Sequence, residues 1–186
     1  MSGASGVLAR LRVPLGFGVG AVALWLAQPT SATVLAGAVI ACAGEALRVW
    51  AAGHLIKSRE VTSSGPYRLV AHPLYVGSSI MGAGVAIGAN SLVVAGLVVA
   101  YLAATITAAI RNEEEFLRRR FGDEYERYQR GGAGGEGGGV DDSATPRRFS
   151  IGRAVQNHEP RAVAGLAAAI LLLLLKATYN GWFGGR

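Results

Sequence analysis

Apolar residues gather into long runs along this chain, with short clusters of charge and turn formers between them. Five runs are long enough to read as membrane-crossing helices: about 14–27, 32–52, 73–88, 91–110 and 162–175. Gln28-Pro29-Thr30 closes the first, and only Ala89-Asn90 separates the third from the fourth. Those two should therefore form a tight helical hairpin. Residues 111–130 continue a helical pattern, with Ile110, Leu117, Phe121, Tyr125 and Tyr128 on one side, so an amphipathic helix should carry the fourth span into the interface. Gly131 to Gly139 is nearly pure glycine and reads as a linker.

The expected fold is all-α, an integral membrane bundle of about five transmembrane helices with a helical hairpin at its core. Three parts follow: a core over 1–130, a Gly-rich linker over 131–160 and an extra C-terminal helix over 161–186, read as a loosely tethered appendage. A basic start before an apolar run also fits a signal peptide, but no small-residue cleavage pattern is clear, and the first run is read as a span.

Composition supports a membrane location. Of 186 residues, 51% are hydrophobic and 16% charged, against about 25% charged in an average soluble domain. Of the 18 Lys and Arg, all but Lys176 and Arg186 fall on one side of the five-span arrangement or at its edge. The positive-inside rule makes that side cytoplasmic and the C-terminus external. The net charge of +6 is then a consequence of topology and anionic headgroups, not of nucleic-acid binding. Membrane lipids are the expected surroundings. One cysteine, Cys42, excludes an internal disulfide, and with three scattered histidines no zinc cluster is expected.

Polar groups against a bilayer are costly and persist where they do chemistry, transport or pairing. Thr62-Ser63-Ser64-Gly65-Pro66 is dense in turn formers, and Pro73 suits the first position of the third helix. The loop thus leads Tyr67, His72 and Tyr75 to the mouth of the hairpin. The fourth span ends near Ile110, so Arg111, Glu113 and Glu114 come into reach of His72 and Tyr75. A carboxylate, an imidazole and aromatic rings make a pocket suited to a cationic, polar ligand. Arg118, Arg119 and Arg120 read instead as a solvated face with i,i+4 partners. Glu45 and Arg48, at i,i+3 inside the second span, can pair and lock that span against its neighbours, or approach the pocket.

Gly65-Pro66-Tyr67, then His72-Pro73-Leu74-Tyr75-Val76-Gly77, then Glu113-Glu114 with Leu117, Phe121-Gly122, Tyr125 and Tyr128, closely resembles the isoprenylcysteine carboxyl methyltransferase family. That family is similar over this region to the membrane phospholipid methyltransferases. The resemblance covers about residues 44–130. It implies an all-helical membrane enzyme that uses S-adenosylmethionine. Carried over residue by residue, it makes Tyr67, His72, Pro73, Leu74, Tyr75 and Glu113 cofactor-binding, with Val61 and Thr62 contributing through backbone. Ala71 stands where the family usually has Arg, with Arg68 close by. Ala109 stands where the isoprenylcysteine enzymes tend to have another, with Arg111 its nearest substitute.

A sulfonium cation is stabilised by aromatic faces and a nearby carboxylate. An amine acceptor must be neutral, and Glu113 or Glu114 can take its proton; with Arg111 these are the catalytic candidates. The expected function is methyl transfer to a hydrophobic or lipidic small-molecule acceptor. The alternatives are a phospholipid amine N-methyltransferase and a family member that binds ligand without turnover.

Overall fold

The computed structural model describes residues 16–55, 64–131 and 148–183; the side chains of 113, 116–131 and 182–183 lie outside that description. Every regular element among them is helical. Helix α1 is Gly16–Leu26, α2 is Ser31–His54, α3 is Pro73–Ala89, α4 is Leu92–Gly131, α5 is Ile151–Gln156 and α6 is Glu159–Phe183. One 3₁₀ turn, Gly65–Arg68, lies between α2 and α3. The protein is thus a helical membrane bundle.

Among the described residues, three segments are long and apolar enough to cross a bilayer: Ser31–His54, Leu92–Asn112 and Glu159–Gly181. Helices α1 and α3 are apolar but shorter. At 17 residues, α3 is about 26 Å long, slightly less than a typical hydrocarbon core. The last span is longer than the apolar run 162–175, because Glu159, Pro160 and Arg161 continue the helix at its polar start. Part of the segment expected as linker, 148–160, holds α5 and the first residues of α6.

Local chemistry explains where the helices stop and start. Thr30 caps α2 with Thr33 as its reciprocal partner, so two otherwise orphaned backbone N–H groups are satisfied at once. At the same end of the bundle, Asn90 takes the left-handed conformation (φ 50°) that closes α3, and α4 begins two residues later. The Asn90 amide donates to the Gln28 carbonyl at 3.1 Å, and Gln28 N–H donates to the Ala89 carbonyl at 2.8 Å. The α1–α2 loop and the hairpin turn are thereby fixed at one end of the bundle. As the hydrophobic pattern indicates, α4 runs unbroken from its membrane part to Gly131.

Helices α2 and α3 make the closest packing, antiparallel and backbone to backbone. Gly37, Ala41 and Gly44 of α2 oppose Gly88, Gly84, Met81 and Gly77 of α3. A Cβ at Gly44 would stand 2.6 Å from the Gly77 carbonyl oxygen, and one at Gly37 would stand 2.6 Å from the Gly88 nitrogen. In lipid, where apolar surface gains nothing by leaving its surroundings, such close approach is what holds two helices together. Large apolar side chains such as Leu92, Val93, Val99, Leu171 and Leu175 point outward instead.

The last helix is not detached from this core. Leu173 and Ala177 pack with Ala27, Val34, Ala89 and Val94. The Lys176 ammonium donates to the Leu24 and Trp25 carbonyls at 2.6 and 2.7 Å, satisfying groups left open where α1 ends.

Candidate functional site

The site is built at the charged end of the bundle, where α2 ends, α3 begins and α4 leaves its apolar stretch. Gly65 opens the 3₁₀ turn with φ 60°, and a Cβ there would lie 2.7–2.8 Å from the His54 ring. Conformation and space both demand glycine at this position. Pro66 is fully buried and Tyr67 is buried. The Gly-Pro-Tyr segment therefore has a packing reason, namely to seat the loop against the end of α2.

His72 is the N-cap residue of α3, and Pro73 occupies the first turn, where its missing N–H is no loss. The N–H groups of Tyr75 and Val76 donate to the His72 carbonyl at 3.1 and 3.2 Å. His72 and Tyr75 rings lie with centroids 5.7 Å apart. From α4, Glu114 brings Oε1 to 3.9 Å from His72 Nε2, and both side chains are partly exposed. An imidazole, a phenol ring and a carboxylate from two helices thus converge, as the hairpin requires.

Of the residues named from sequence, His72, Tyr75 and Glu114 come together. Pro73 is buried, Leu74 is half-buried beside them in the first turn of α3, and Arg111 is exposed one turn before Glu114. Glu113 lies on the same turn of α4, but its side chain is outside the described part of the structure, as are Val61 and Thr62.

A second polar cluster lies beneath, centred on Arg48. Its Nε is 3.2 Å from Glu45 Oε2, giving the expected i,i+3 pair. Its Nη2 donates to both carboxylate oxygens of Glu159 at 3.1 Å, and its Nη1 donates to Ser78 Oγ. Glu45 and Glu159 are buried, at 6% and 5% exposure. Losing one partner of a buried pair costs about 3–5 kcal/mol, against less than about 1 kcal/mol for a solvated one. This cluster therefore belongs to the helix packing.

Glu159 and Ser78 escaped the sequence reading. An acidic residue followed by proline does mark a helix start, but nothing in the sequence names Arg48 as its partner. Glu159 is placed by the segment before it. The Ser150 N–H and the Arg153 Nε donate to the Gly53 carbonyl at 3.1 and 2.7 Å, and the Asn157 amide donates to the Ala52 and Leu55 carbonyls at 2.9 and 3.0 Å. These are last-turn and flanking carbonyls of α2, which have no partner of their own within the helix.

Comparison with known proteins bears on the same region. The chain is similar to the nickel-cobalt-cadmium resistance protein NccN of Alcaligenes xylosoxydans xylosoxydans, at 30% identity over 108 residues. That match takes in 57% of this chain and 49% of NccN, so the chain spans about half the length of this relative. No solved structure matches. Residues 31–124 match the phospholipid methyltransferase family, a stretch that contains α2, α3, the intervening loop and the His72–Glu114 meeting point. With half the chain matched, this protein belongs to the phospholipid methyltransferase family.

Proposed function

We propose that this chain is an S-adenosylmethionine-dependent methyltransferase acting on a lipidic acceptor at the cytoplasmic face of the membrane. The observation that carries this reading is the approach of His72 and Glu114 from separate helices, beside Tyr75, within the family-matched region. The donor set fits the cofactor: its sulfonium is a cation suited to aromatic faces and a carboxylate, and its amino-acid portion suits an imidazole and a carboxylate. When bound, S-adenosylmethionine supplies an electrophilic methyl group.

The chain's own residues do the rest. Tyr75 and His72 offer ring faces, and Glu114 offers negative charge beside them. Glu113, Leu74, Tyr67, Val61 and Thr62 complete the proposed cofactor contacts, and Pro73 fixes the start of α3. In-line displacement depends on alignment, so holding donor and acceptor in register is the main service of such a site. Glu114 or Glu113 takes the proton where the acceptor is an amine, and exposed Arg111 can meet an anionic group of the acceptor. A phospholipid headgroup is the proposed acceptor, and a prenylcysteine is the alternative within the same lipidic class. Ala71 and Ala109, where related enzymes carry Arg, favour the rival reading of a binder without turnover.

Calorimetry on the full chain in detergent should show S-adenosylmethionine binding. Labelled cofactor with a membrane-lipid extract should then yield a methylated lipid. Binding without transfer to any extract supports the non-catalytic reading, and absence of binding overturns the cofactor assignment.

The orientation is checked separately. In a Cys42→Ala background, single cysteines at Asn90 and Ser64 should label from opposite sides, Ser64 from the cytoplasm. Labelling of both from one side rejects the topology.

A further inference from the structure

We infer that Glu159 is a positioning residue for the His72 site, acting through Arg48 and Ser78, an inference that rests on the cofactor reading above. Helices α5 and α6 lie beyond the family-matched residues 31–124. The 148–157 segment is fastened to the end of α2 by the Ser150, Arg153 and Asn157 hydrogen bonds. That fastening delivers Glu159, the first residue of α6, into the interior beside Arg48.

The guanidinium then has three commitments pointing three ways. Nε faces Glu45, Nη2 faces Glu159 and Nη1 meets Ser78. A planar guanidinium cannot serve one partner without fixing its direction toward the others. Ser78 Oγ in turn donates to the Leu74 carbonyl at 2.9 Å. Leu74 lies between Pro73 and Tyr75 in the first turn of α3. The stem of Arg48 also lies against Gly77, where a Cβ would meet its Cγ at 2.7 Å. The first two turns of α3 therefore rest on Arg48.

The His72 backbone is held from within that same first turn, by the Tyr75 and Val76 N–H groups. A line of contacts thus runs from Glu159 through Arg48, Ser78 and Leu74 to the turn that presents His72 and Tyr75 to Glu114. Neutralising Glu159 leaves Nη2 without its anion, and the guanidinium can turn toward Glu45 and away from Ser78. A brace that merely joined α6 to α2 would loosen those two helices and leave the start of α3 unaffected.

The test uses the full chain in detergent with Glu159→Gln, the charge-retaining Glu159→Asp, and Ser78→Ala. Hydrogen exchange at the Tyr75 and Val76 amides reports the first turn without any ligand. Glu159→Gln and Ser78→Ala should each speed that exchange at least about tenfold and weaken S-adenosylmethionine binding about tenfold, the scale of one hydrogen bond to a charged group. Combined, they should cost little more than either alone, since both cut one line of contacts. Glu159→Asp should recover most of both readouts, and exchange near Asn90 should not change. Wild-type exchange at Tyr75 and Val76 in Glu159→Gln overturns the inference whatever the binding result. If that variant is not monodisperse, the same measurement on Ser78→Ala decides. If the wild-type chain binds no S-adenosylmethionine, the cofactor reading fails and the exchange comparison alone decides the positioning role.

Discussion

Gly44→Leu should leave no monodisperse bundle, whereas Gly165→Leu should purify like the wild type. Both substitutions add the same apolar side chain to a membrane helix, so intrinsic lipid solubility does not separate them. Packing does. A Cβ at Gly44 would lie 2.5–2.6 Å from the Met81 nitrogen and the Gly77 carbonyl oxygen, while nothing lies within 4 Å of one at Gly165. The obstructing atoms at Gly44 are backbone, which cannot rotate out of the way. Overpacking a tight interior commonly costs about 1–3 kcal/mol, and more where the obstacle is fixed. Because α2 and α3 are joined by small-residue contact, separation removes the attraction itself along with the strain. Size-exclusion chromatography and thermal unfolding in detergent, run side by side, give the measurement. A Gly44→Leu protein with an unchanged elution profile and unfolding temperature would show that the α2–α3 interface is looser than its geometry implies.

That interface shows what the sequence conceals. Gly37, Gly44, Gly77, Gly84 and Gly88 sit at helical spacing in the chain, yet among the described residues Gly18, Gly20, Gly96, Gly165 and Gly181 lie in the same kind of apolar helix and face nothing within 4 Å. Composition cannot say which face of a lipid-embedded helix meets another helix, because lipid and partner are equally apolar. The hairpin was legible for the opposite reason. Ala89-Asn90 interrupts the apolar pattern, and Asn is among the few side chains suited to the left-handed closing residue. Charge clustering placed His72 and the Glu113-Glu114 pair at the same end, and the contact between His72 and Glu114 follows from that topology. Glu159 was hidden by distance along the chain. A Gly-rich stretch before the last apolar run suggests independence, whereas the short 148–157 segment caps the end of α2 through backbone carbonyls that carry no sequence signature. The pairing of Glu45 with Arg48 was readable from spacing alone; the third member, from α6, was not.

The same geometry predicts that His72 and Glu114 act as one site. His72→Ala and Glu114→Ala should each weaken S-adenosylmethionine binding about ten- to a hundred-fold, since a hydrogen bond to a charged group is worth about 1.5–3 kcal/mol. Together they should lose less than the product of the two, because groups facing each other across 3.9 Å share one ligand and one local structure. Glu114→Gln sharpens the test: it keeps the size and one acceptor oxygen but removes the charge that a sulfonium or ammonium would feel. Its effect should approach that of Glu114→Ala if charge is what the site supplies. Glu113→Ala separates the motif from the geometry. The family resemblance assigns the cofactor to the first glutamate, while the meeting with His72 is made by the second, so a cycle of His72 with each glutamate identifies the coupled partner. Arg161→Ala, an exposed position on α6, serves as the control and should bind normally. The decisive measurement is the coupling by titration calorimetry at a single salt concentration. Additive losses from His72→Ala and Glu114→Ala, or wild-type binding by both, would remove the pair from the cofactor site and leave their approach a feature of hairpin packing.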